Sequence, residues 1–163
     1  MRTTDTHIYF YGGFMSNFYP APLHIDDIPF YTSEHAFMWL KAYHFNDADI
    51  MTQIASVKHP AEAKKLGRLV KGFNNAKWEK LRERAMHTAV LAKFRQNLGL
   101  WELLKATGSR TLVEASPTDK IWGVGLAEDD DLILDEKNWQ GLNLLGKTLM
   151  AVRTFGTTID AIS

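Results

Sequence analysis

The sequence predicts an α+β fold, a single helix-rich compact domain with a small β-sheet. Six stretches show helical periodicity or helix-boundary residues, whereas only a few short runs resemble strands. The 163 residues contain no internal repeat, low-complexity linker or break in composition, and this length is enough for one sizeable core. We therefore interpret residues 1–163 as one domain.

The predicted strands are short and bounded by turn residues. His7–Phe10 alternates in polarity enough to indicate a strand, and residues 111–113 form a second β-like run. Two more runs, residues 23–25 and 28–31, flank Asp26-Asp27 and predict a hairpin. The aromatic-rich loop over residues 14–20, which contains Asn17, must either fill the core or line a site.

The first predicted helix carries the most informative face. Thr32 or Ser33 can cap its start, and it runs to about residue 43 or 45. Four residues share one face at positions i, i+3, i+4 and i+7: Glu34, Phe37, Met38 and Lys41. Glu34 is either a solvated helix-start carboxylate or part of a cleft, and Lys41 is either a surface lysine or a functional amine.

Five further helices are predicted along the rest of the chain. The pattern over residues 78–96 is the longest and predicts the central core helix, with Trp78 at its start. The others cover residues 47–55, 60–67, 98–106 and 144–155. Pro60 suits a first helical position, and Arg68 directly follows Gly67 near the end of that helix.

Residues 112–125 combine a strand end, a rigid turn and a tryptophan. Ser116-Pro117 turns the chain, and Trp122 precedes the pair Gly123 and Gly125. This pattern fits a packed turn or the floor of a pocket. Within it we expect Glu114 to be structural and Asp119 with Trp122 to belong to a site.

The charge is balanced overall but uneven along the chain. The formal net charge is zero, which argues against a whole-surface electrostatic interaction with nucleic acid. Residues 58–84 hold nine Lys/Arg against three Glu, and residues 128–136 hold six acidic residues and no basic one. Both stretches are either solvated faces or, for the basic one, a surface that meets a phosphate-bearing substrate. We expect the acidic stretch to form a short strand or a mobile loop.

The sequence lacks the residues that several classes of catalytic and binding chemistry require. The chain has no cysteine, so disulfides and thiol nucleophiles are excluded, and its six histidines show no metal-ligand spacing. Nucleophile-elbow and Gly-rich phosphate motifs are missing, and no apolar run reaches about 18 residues. We therefore expect no metal, no cofactor, no membrane segment and a cytoplasmic location.

The remaining candidates fit cleavage of a bond between a sugar and a base. Carboxylates such as Glu34 and Asp119 can stabilise an oxocarbenium-like state, position water or protonate a leaving base. Indoles can stack on a heterocycle, and Arg68 can hold a phosphate.

Motifs spread over nearly the whole chain resemble the NADAR family, also called YbiA-like. They are residues 16–19, 33–38 with Lys41 and Ala42, 63–68, Trp78, Met86, 93–94 with 96–97, 114–117 with Asp119, 122–125, Trp139, Gly141, Asn143, 145–146, 149–150 and Arg153. The resemblance implies a soluble, mainly helical α+β domain with N-glycosidase activity. One branch of the family hydrolyses phosphorylated ribosylamino pyrimidines and uracils of early riboflavin biosynthesis, and another removes ADP-ribose from guanine in nucleic acid.

The resemblance also implies site residues. The catalytic candidates are Glu34, Lys41 and Asp119, and the substrate-binding candidates are Asn17, Arg68, Trp78, Trp122, Trp139 and Asn143. Compared with the shorter family pattern, this chain is longer between Trp122 and Asn143, where the acidic stretch lies and where it would shape the pocket rim.

Two mechanisms and one non-enzymatic alternative remain open. In the first, Glu34 or Asp119 stabilises the oxocarbenium ion and activates water. In the second, Lys41 attacks the anomeric carbon of a ring-opened sugar and forms a Schiff base. The alternative is a module that binds ADP-ribose or a related nucleotide without turnover. The expected partner is a phosphorylated ribosyl or ADP-ribosyl small molecule, or ADP-ribosylated nucleic acid.

Overall fold

A computed structural model describes residues 1–160 and confirms the predicted α+β class. The strands are β1 (Arg2–Thr3), β2 (His7–Phe10), β3 (Leu23–Ile25), β4 (Ile28–Phe30) and β5 (Thr111–Glu114). The helices are α1 (Ser33–His44), α2 (Ala48–Ser56), α3 (Pro60–Gly67), α4 (Asn75–Gln96), α5 (Leu98–Ala106) and α6 (Leu144–Asp160). The residues group into two compact units. The helical unit covers residues 17–98, and the sheet unit covers residues 1–16 together with the chain from residue 99 onward.

The sheet unit is built on three strands in the order β1-β2-β5. Strand β2 pairs antiparallel with β1 and parallel with β5, with His7 opposite Thr111 and Phe10 opposite Glu114. The sequence predicted β2 and β5 but not β1, because two residues are too few to show an alternating pattern. The core beside this sheet contains Tyr9, Val113, Ala115, Val124, Leu126 and Ile133.

Helix α6 lies directly against strand β5 in the same unit. A Cβ atom added at Gly146 would overlap the backbone carbonyl of Leu112 and the side chain of Asn143. Glycine at this position therefore allows the helix to approach the strand backbone closely.

The helical unit is organised around α1, which packs against α2, α3 and α4. Its core contains Ala42, Ile50, Ile54, Ala63 and Val70. The hairpin β3–β4 belongs to the same unit and turns through two residues in the left-handed region, Asp26 (φ 47°) and Asp27 (φ 67°). Aspartate tolerates this conformation better than most residues, which explains why the turn was visible in the sequence.

Side-chain caps fix the starts of the helices in this unit. Thr32, Asp47, His59 and Asn74 each accept a hydrogen bond from a backbone N–H of the first helical turn. The carboxylate of Asp47 also accepts from the N–H of Lys71, at 2.8 Å, and these two backbone hydrogen bonds lower its pKa. Asn74 starts α4 at Asn75, three residues before the predicted start. No helix within residues 1–160 has the length and apolar composition needed to cross a membrane.

The acidic stretch does not form the predicted strand. It forms two short 3-10 helices, Asp131–Leu134 and Glu136–Asn138, whose starts are capped by the carboxylates of Asp130 and Asp135. Capping aspartates spaced five residues apart produce no alternation, so periodicity could not reveal these turns.

Two ion pairs and one contact between an imidazole and a carboxylate join the acidic stretch to the start of the chain. The N-terminal ammonium lies 3.2 Å from Glu128, and Arg2 lies 2.8 Å from Asp131. His7 Nε2 lies 2.9 Å from Glu136. Three of the six acidic residues therefore contact the rest of the sheet unit instead of facing solvent alone.

We expect Gly146→Ala to lower the free energy of unfolding by about 2–3 kcal/mol, since the added methyl group meets backbone atoms that cannot move aside. Gly99→Ala is the matched control, because a Cβ there meets nothing within 4 Å. In an exposed helical position this change should stabilise the protein by about 0.5 kcal/mol. Urea unfolding measures the free energy of unfolding of each variant. Equal values for the two variants would contradict the close approach of α6 and β5.

Candidate active site

The predicted site residues divide between the two units. Asn17, Glu34, Lys41, Arg68 and Trp78 belong to the helical unit, and Asp119, Trp122, Trp139 and Asn143 belong to the sheet unit. We describe each group within its own unit.

Asn17 holds the first turn of α1. Its backbone carbonyl accepts a hydrogen bond from the N–H of Glu34 at 3.1 Å, and its Oδ1 accepts from Ser33 Oγ at 2.8 Å. Its Nδ2 donates to Met86 Sδ at 3.2 Å. These contacts position the helix start, so Asn17 acts on this region through α1. Its predicted substrate contact stays a prediction.

Glu34 lies in the first turn of α1 and is only 8% exposed. This burial excludes the alternative of a helix-start carboxylate pointing into solvent. The N-terminal end of the helix dipole favours a negative charge at this position. Glu34 also exerts an electrostatic effect on Lys41 two turns later, as expected for residues on one helix face.

Lys41 is half-buried and contacts two aromatic rings. Its Nζ lies 4.7 Å from the centroid of Phe73 and 5.9 Å from that of Trp78. Burial lowers the pKa of Lys41, the positive charge of Arg68 lowers it further, and the carboxylate of Glu34 acts in the opposite direction. Burial and Arg68 together outweigh Glu34, so the net pKa of Lys41 is lowered. Near neutral pH, the fraction of neutral amine is therefore larger for Lys41 than for an ordinary lysine.

Close packing of α3 on α1 brings Arg68 into electrostatic range of Lys41. A Cβ added at Gly67 would overlap Sδ of Met38, so a larger residue here would require the Met38 side chain to move. Arg68 is the exposed residue that caps the end of α3. The sequence showed the Gly-Arg pair but could not show which helix it would face.

Trp78 is a core residue of the helical unit, with 7% of its surface exposed. Its ring meets Phe37 edge-on at 5.5 Å and is tilted against Phe45 at 6.3 Å. The buried ring of Trp78 therefore forms part of the surface against which the Lys41 side chain lies. The predicted stacking of a substrate base on Trp78 stays a prediction.

In the sheet unit, Asp119 organises the turn that leads to Trp122. Its Oδ1 accepts hydrogen bonds from the N–H of Ile121 at 2.9 Å and of Trp122 at 2.8 Å. The N–H of Asp119 donates to Ser116 Oγ at 3.1 Å. This side chain thus sets the backbone that carries the half-buried indole of Trp122.

The segment after this turn packs backbone against backbone. A Cβ at Gly123 would lie 2.9 Å from the carbonyl oxygens of Glu114 and Asp119, and one at Gly141 would lie 2.8 Å from the carbonyl of Lys120. The carbonyl of Trp122 accepts from the N–H of Leu145 at 3.1 Å, in the first turn of α6. The glycines therefore allow the backbone of residues 114–125 to pack closely and to bond with the first turn of α6.

The side chains of Asn143 and Trp139 form hydrogen bonds with backbone groups. Asn143, in the left-handed region at φ 52°, accepts from the N–H of Glu114 at 3.0 Å and donates to the carbonyl of Leu112 at 2.9 Å. Trp139 donates its indole N–H to the carbonyl of Ile133 at 2.8 Å and packs on the core of the sheet unit. Both stabilise this unit, and their predicted substrate contacts stay predictions.

The basic stretch of residues 58–84 is not neutralised by carboxylates. Within residues 1–160, none of its nine Lys/Arg forms a salt bridge. Over the same described residues, no three His, Asp or Glu side chains cluster as metal ligands.

Sequence reasoning missed Phe73, the ring nearest to the ammonium of Lys41. It lies in the turn before α4, outside any helical period, so only its aromatic character next to Gly72 could have indicated a role.

Comparisons with known proteins agree with the motifs. A family model described as the NADAR domain matches residues 9–155. "N-glycosidase R617" of Acanthamoeba polyphaga mimivirus is 34% identical over 92% of this chain and 96% of its own. "N-glycosidase Npun_R5314" of Nostoc punctiforme is 39% identical over 90% of each chain. The NMR structure of the Escherichia coli protein YbiA is similar with a TM-score of 0.78 and 32% identity, over 99% of this chain and 90% of that one.

We expect Lys41 to be acylated at lower pH than the exposed lysines, because only the neutral amine reacts. Arg68→Gln removes a nearby positive charge and should raise the pH of half-maximal acylation, whereas Glu34→Gln removes a negative charge and should lower it. Peptide mass spectrometry after brief acylation across a pH series measures both shifts. Lys147, exposed in the sheet unit, is the internal reference. Shifts of the same sign in the two variants would contradict this electrostatic arrangement.

Proposed function

The chain belongs to the NADAR family and is a hydrolase of N-glycosyl bonds, and we propose that its substrate is a phosphorylated ribosylamino pyrimidine or uracil of early riboflavin biosynthesis. The curated relatives named N-glycosidase favour an enzyme over the alternative of a non-catalytic ADP-ribose-binding module.

The proposal depends on three groups in the helical unit: a buried carboxylate, an amine with a lowered pKa and a guanidinium. Glu34 and Lys41 share one face of α1, and Arg68 is near enough to affect the pKa of Lys41. A ribosylamine phosphate offers matching features, namely a protonatable leaving amine, an electrophilic anomeric carbon and an anion. Arg68 supplies one fixed positive charge, which suits a single phosphate group.

In the carboxylate-assisted route, the bond between the anomeric carbon and the amine breaks while positive charge develops on the sugar. Glu34 or Asp119 stabilises this charge and accepts a proton from the attacking water. The water oxygen bonds to the anomeric carbon, and the leaving amine gains a proton from a polar group beside it. The stacking of the base on Trp122 stays a prediction from the sequence.

In the Schiff-base route, the substrate first opens to an imine between the anomeric carbon and its amine. The neutral amine of Lys41 adds to that carbon, the pyrimidine amine leaves with a proton, and a lysine imine remains. Water then hydrolyses this imine, which releases the sugar aldehyde and restores Lys41. The lowered pKa of Lys41 supports this route because it raises the fraction of the nucleophilic form.

A second candidate substrate is guanine that carries ADP-ribose within nucleic acid. The observation that favours it is the basic stretch of residues 58–84, whose Lys and Arg side chains are not paired with carboxylates in the described chain. Such a surface can interact with the phosphates of a polynucleotide.

Incubation of the purified protein with a phosphorylated aminouracil riboside should release the free base. Liquid chromatography measures this release. ADP-ribosylated guanosine and an ADP-ribosylated oligonucleotide are tested in parallel. Release only from the guanine substrates would replace the first proposal with the second, and tight binding without release from any substrate would contradict both.

Glu34→Gln should reduce the rate of base release by about 10²- to 10⁴-fold, because the buried group can then neither transfer a proton nor carry charge. Glu83→Gln, at an exposed position on α4, is the matched control and should retain activity. Circular dichroism and thermal unfolding confirm that both variants are folded. A nearly full rate for Glu34→Gln would remove Glu34 from the mechanism.

Borohydride added during turnover should reduce the lysine imine and leave a sugar adduct on Lys41. Peptide mass spectrometry locates the adduct, which Lys41→Ala should abolish and Lys147→Ala should retain. Turnover without any adduct would contradict the Schiff-base route and favour the carboxylate-assisted one.

A further inference from the structure

Phe73 is a large apolar side chain that stays 44% exposed next to Lys41. It lies between α3 and α4 and forms the closest aromatic contact of the lysine, with Nζ 4.7 Å from the ring centroid. No motif or predicted role includes it. An aromatic face at this distance attracts an ammonium group.

The position of Phe73 is fixed by other rings of the helical unit. Its ring is tilted against Phe45 at 5.3 Å, and Phe45 in turn contacts Trp78 at 6.3 Å. We call Phe45, Phe73 and Trp78 the aromatic shelf. Gly72, at φ 73°, supplies the left-handed turn that directs the chain back toward this shelf.

Charged groups from two elements act on Lys41 at the shelf, and a third charged group lies on the same set of rings. Glu34 is on the same helix, and Arg68 follows α3. From α4, Lys77 places its own Nζ 5.0 Å from the ring centroid of Phe45. Burial and Arg68 disfavour the ammonium, while Glu34 and the face of Phe73 favour it.

Lysine has four rotatable side-chain bonds and loses considerable conformational freedom when it is fixed. A ring face that attracts the ammonium reduces the number of orientations that the side chain samples, and the neutral amine left after loss of the proton starts from that orientation. Fixed orientation of a nucleophile toward the reacting carbon is a large contribution to rate in enzymes.

We propose that Phe73 is a positioning residue that holds Lys41 on the aromatic shelf in the orientation required for attack. This proposal depends on the role assigned to Lys41 under the proposed function. It differs from simple packing, because packing needs only apolar volume whereas positioning of the ammonium needs a π-face.

Two substitutions at Phe73 separate these roles. Phe73→Leu keeps most of the apolar volume and removes the ring, whereas Phe73→Tyr keeps the ring. Phe18→Leu is a matched control, since Phe18 is another exposed ring with a lysine above it, Lys64 at 5.9 Å. Each variant is tested for the pH of half-maximal acylation of Lys41 without substrate, and for kcat and KM of base release.

Phe73→Leu should lower the pH of half-maximal acylation by about 0.5 unit, the shift expected for loss of one partly exposed cation–π contact. At a pH above the acylation midpoints of both proteins, where Lys41 is neutral in each, Phe73→Leu should also lower kcat by about fivefold with little change in KM, because positioning contributes at the chemical step. Phe73→Tyr should keep the wild-type values, and Phe18→Leu should keep the wild-type acylation of Lys41.

Equal acylation midpoints for the Leu variant and the wild type, an unchanged kcat for the Leu variant, or equal behaviour of the Leu and Tyr variants would overturn the proposal. The acylation measurement needs no turnover. A protein that lacks base release but shows the expected shift therefore contradicts the proposed function, and not the contact between Phe73 and Lys41.

Discussion

The burial of polar residues in the first turn of α1 is the constraint on which the helical unit depends. Ser33, Glu34 and His35 are all buried there, and buried polar groups require hydrogen-bond partners. Asn17 accepts from Ser33 and from the backbone of Glu34, and His35 lies within hydrogen-bond distance of Thr32 and of the carbonyl of Val57. These contacts fix the rotation of α1, and the rotation determines where Lys41 lies two turns later.

Once α1 is fixed, the state of Lys41 results from opposing effects. The tight contact of Gly67 with Met38 brings α3 close, and Arg68 then opposes a second positive charge. Glu34 and the aromatic rings compensate in part, so the amine keeps a lowered pKa while remaining at a half-buried position. Lysines with a lowered pKa at half-buried positions are typical of functional sites. The agreement between this geometry and the N-glycosidase relatives is what supports a catalytic role.

In the sheet unit, the residues singled out by sequence also stabilise the backbone. Asp119 caps its own turn, Asn143 bridges two backbone groups of the region around β5, and Trp139 anchors to Ile133. The glycines between them allow carbonyl groups to approach where any Cβ would collide. The acidic stretch, which the resemblance places at the pocket rim, is joined to the start of the chain by two ion pairs and by the contact of His7 with Glu136. Exposed pairs of this type contribute about 0–1 kcal/mol each, so they orient the segment more than they stabilise it.

Elements whose signals are local could be predicted from the sequence alone. The Thr32 cap, Pro60 at a helix start, the Asp26-Asp27 turn and the shared face of Glu34 and Lys41 all follow from spacing of a few residues. The remaining features could not, because they depend on contacts between distant segments. The parallel pairing of β2 with β5 spans about a hundred residues, β1 is too short to form a pattern, and the burial of Glu34 requires Asn17. The placement of Phe73 on Lys41 likewise requires α1 and the start of α4 to pack together, and no local pattern encodes that contact.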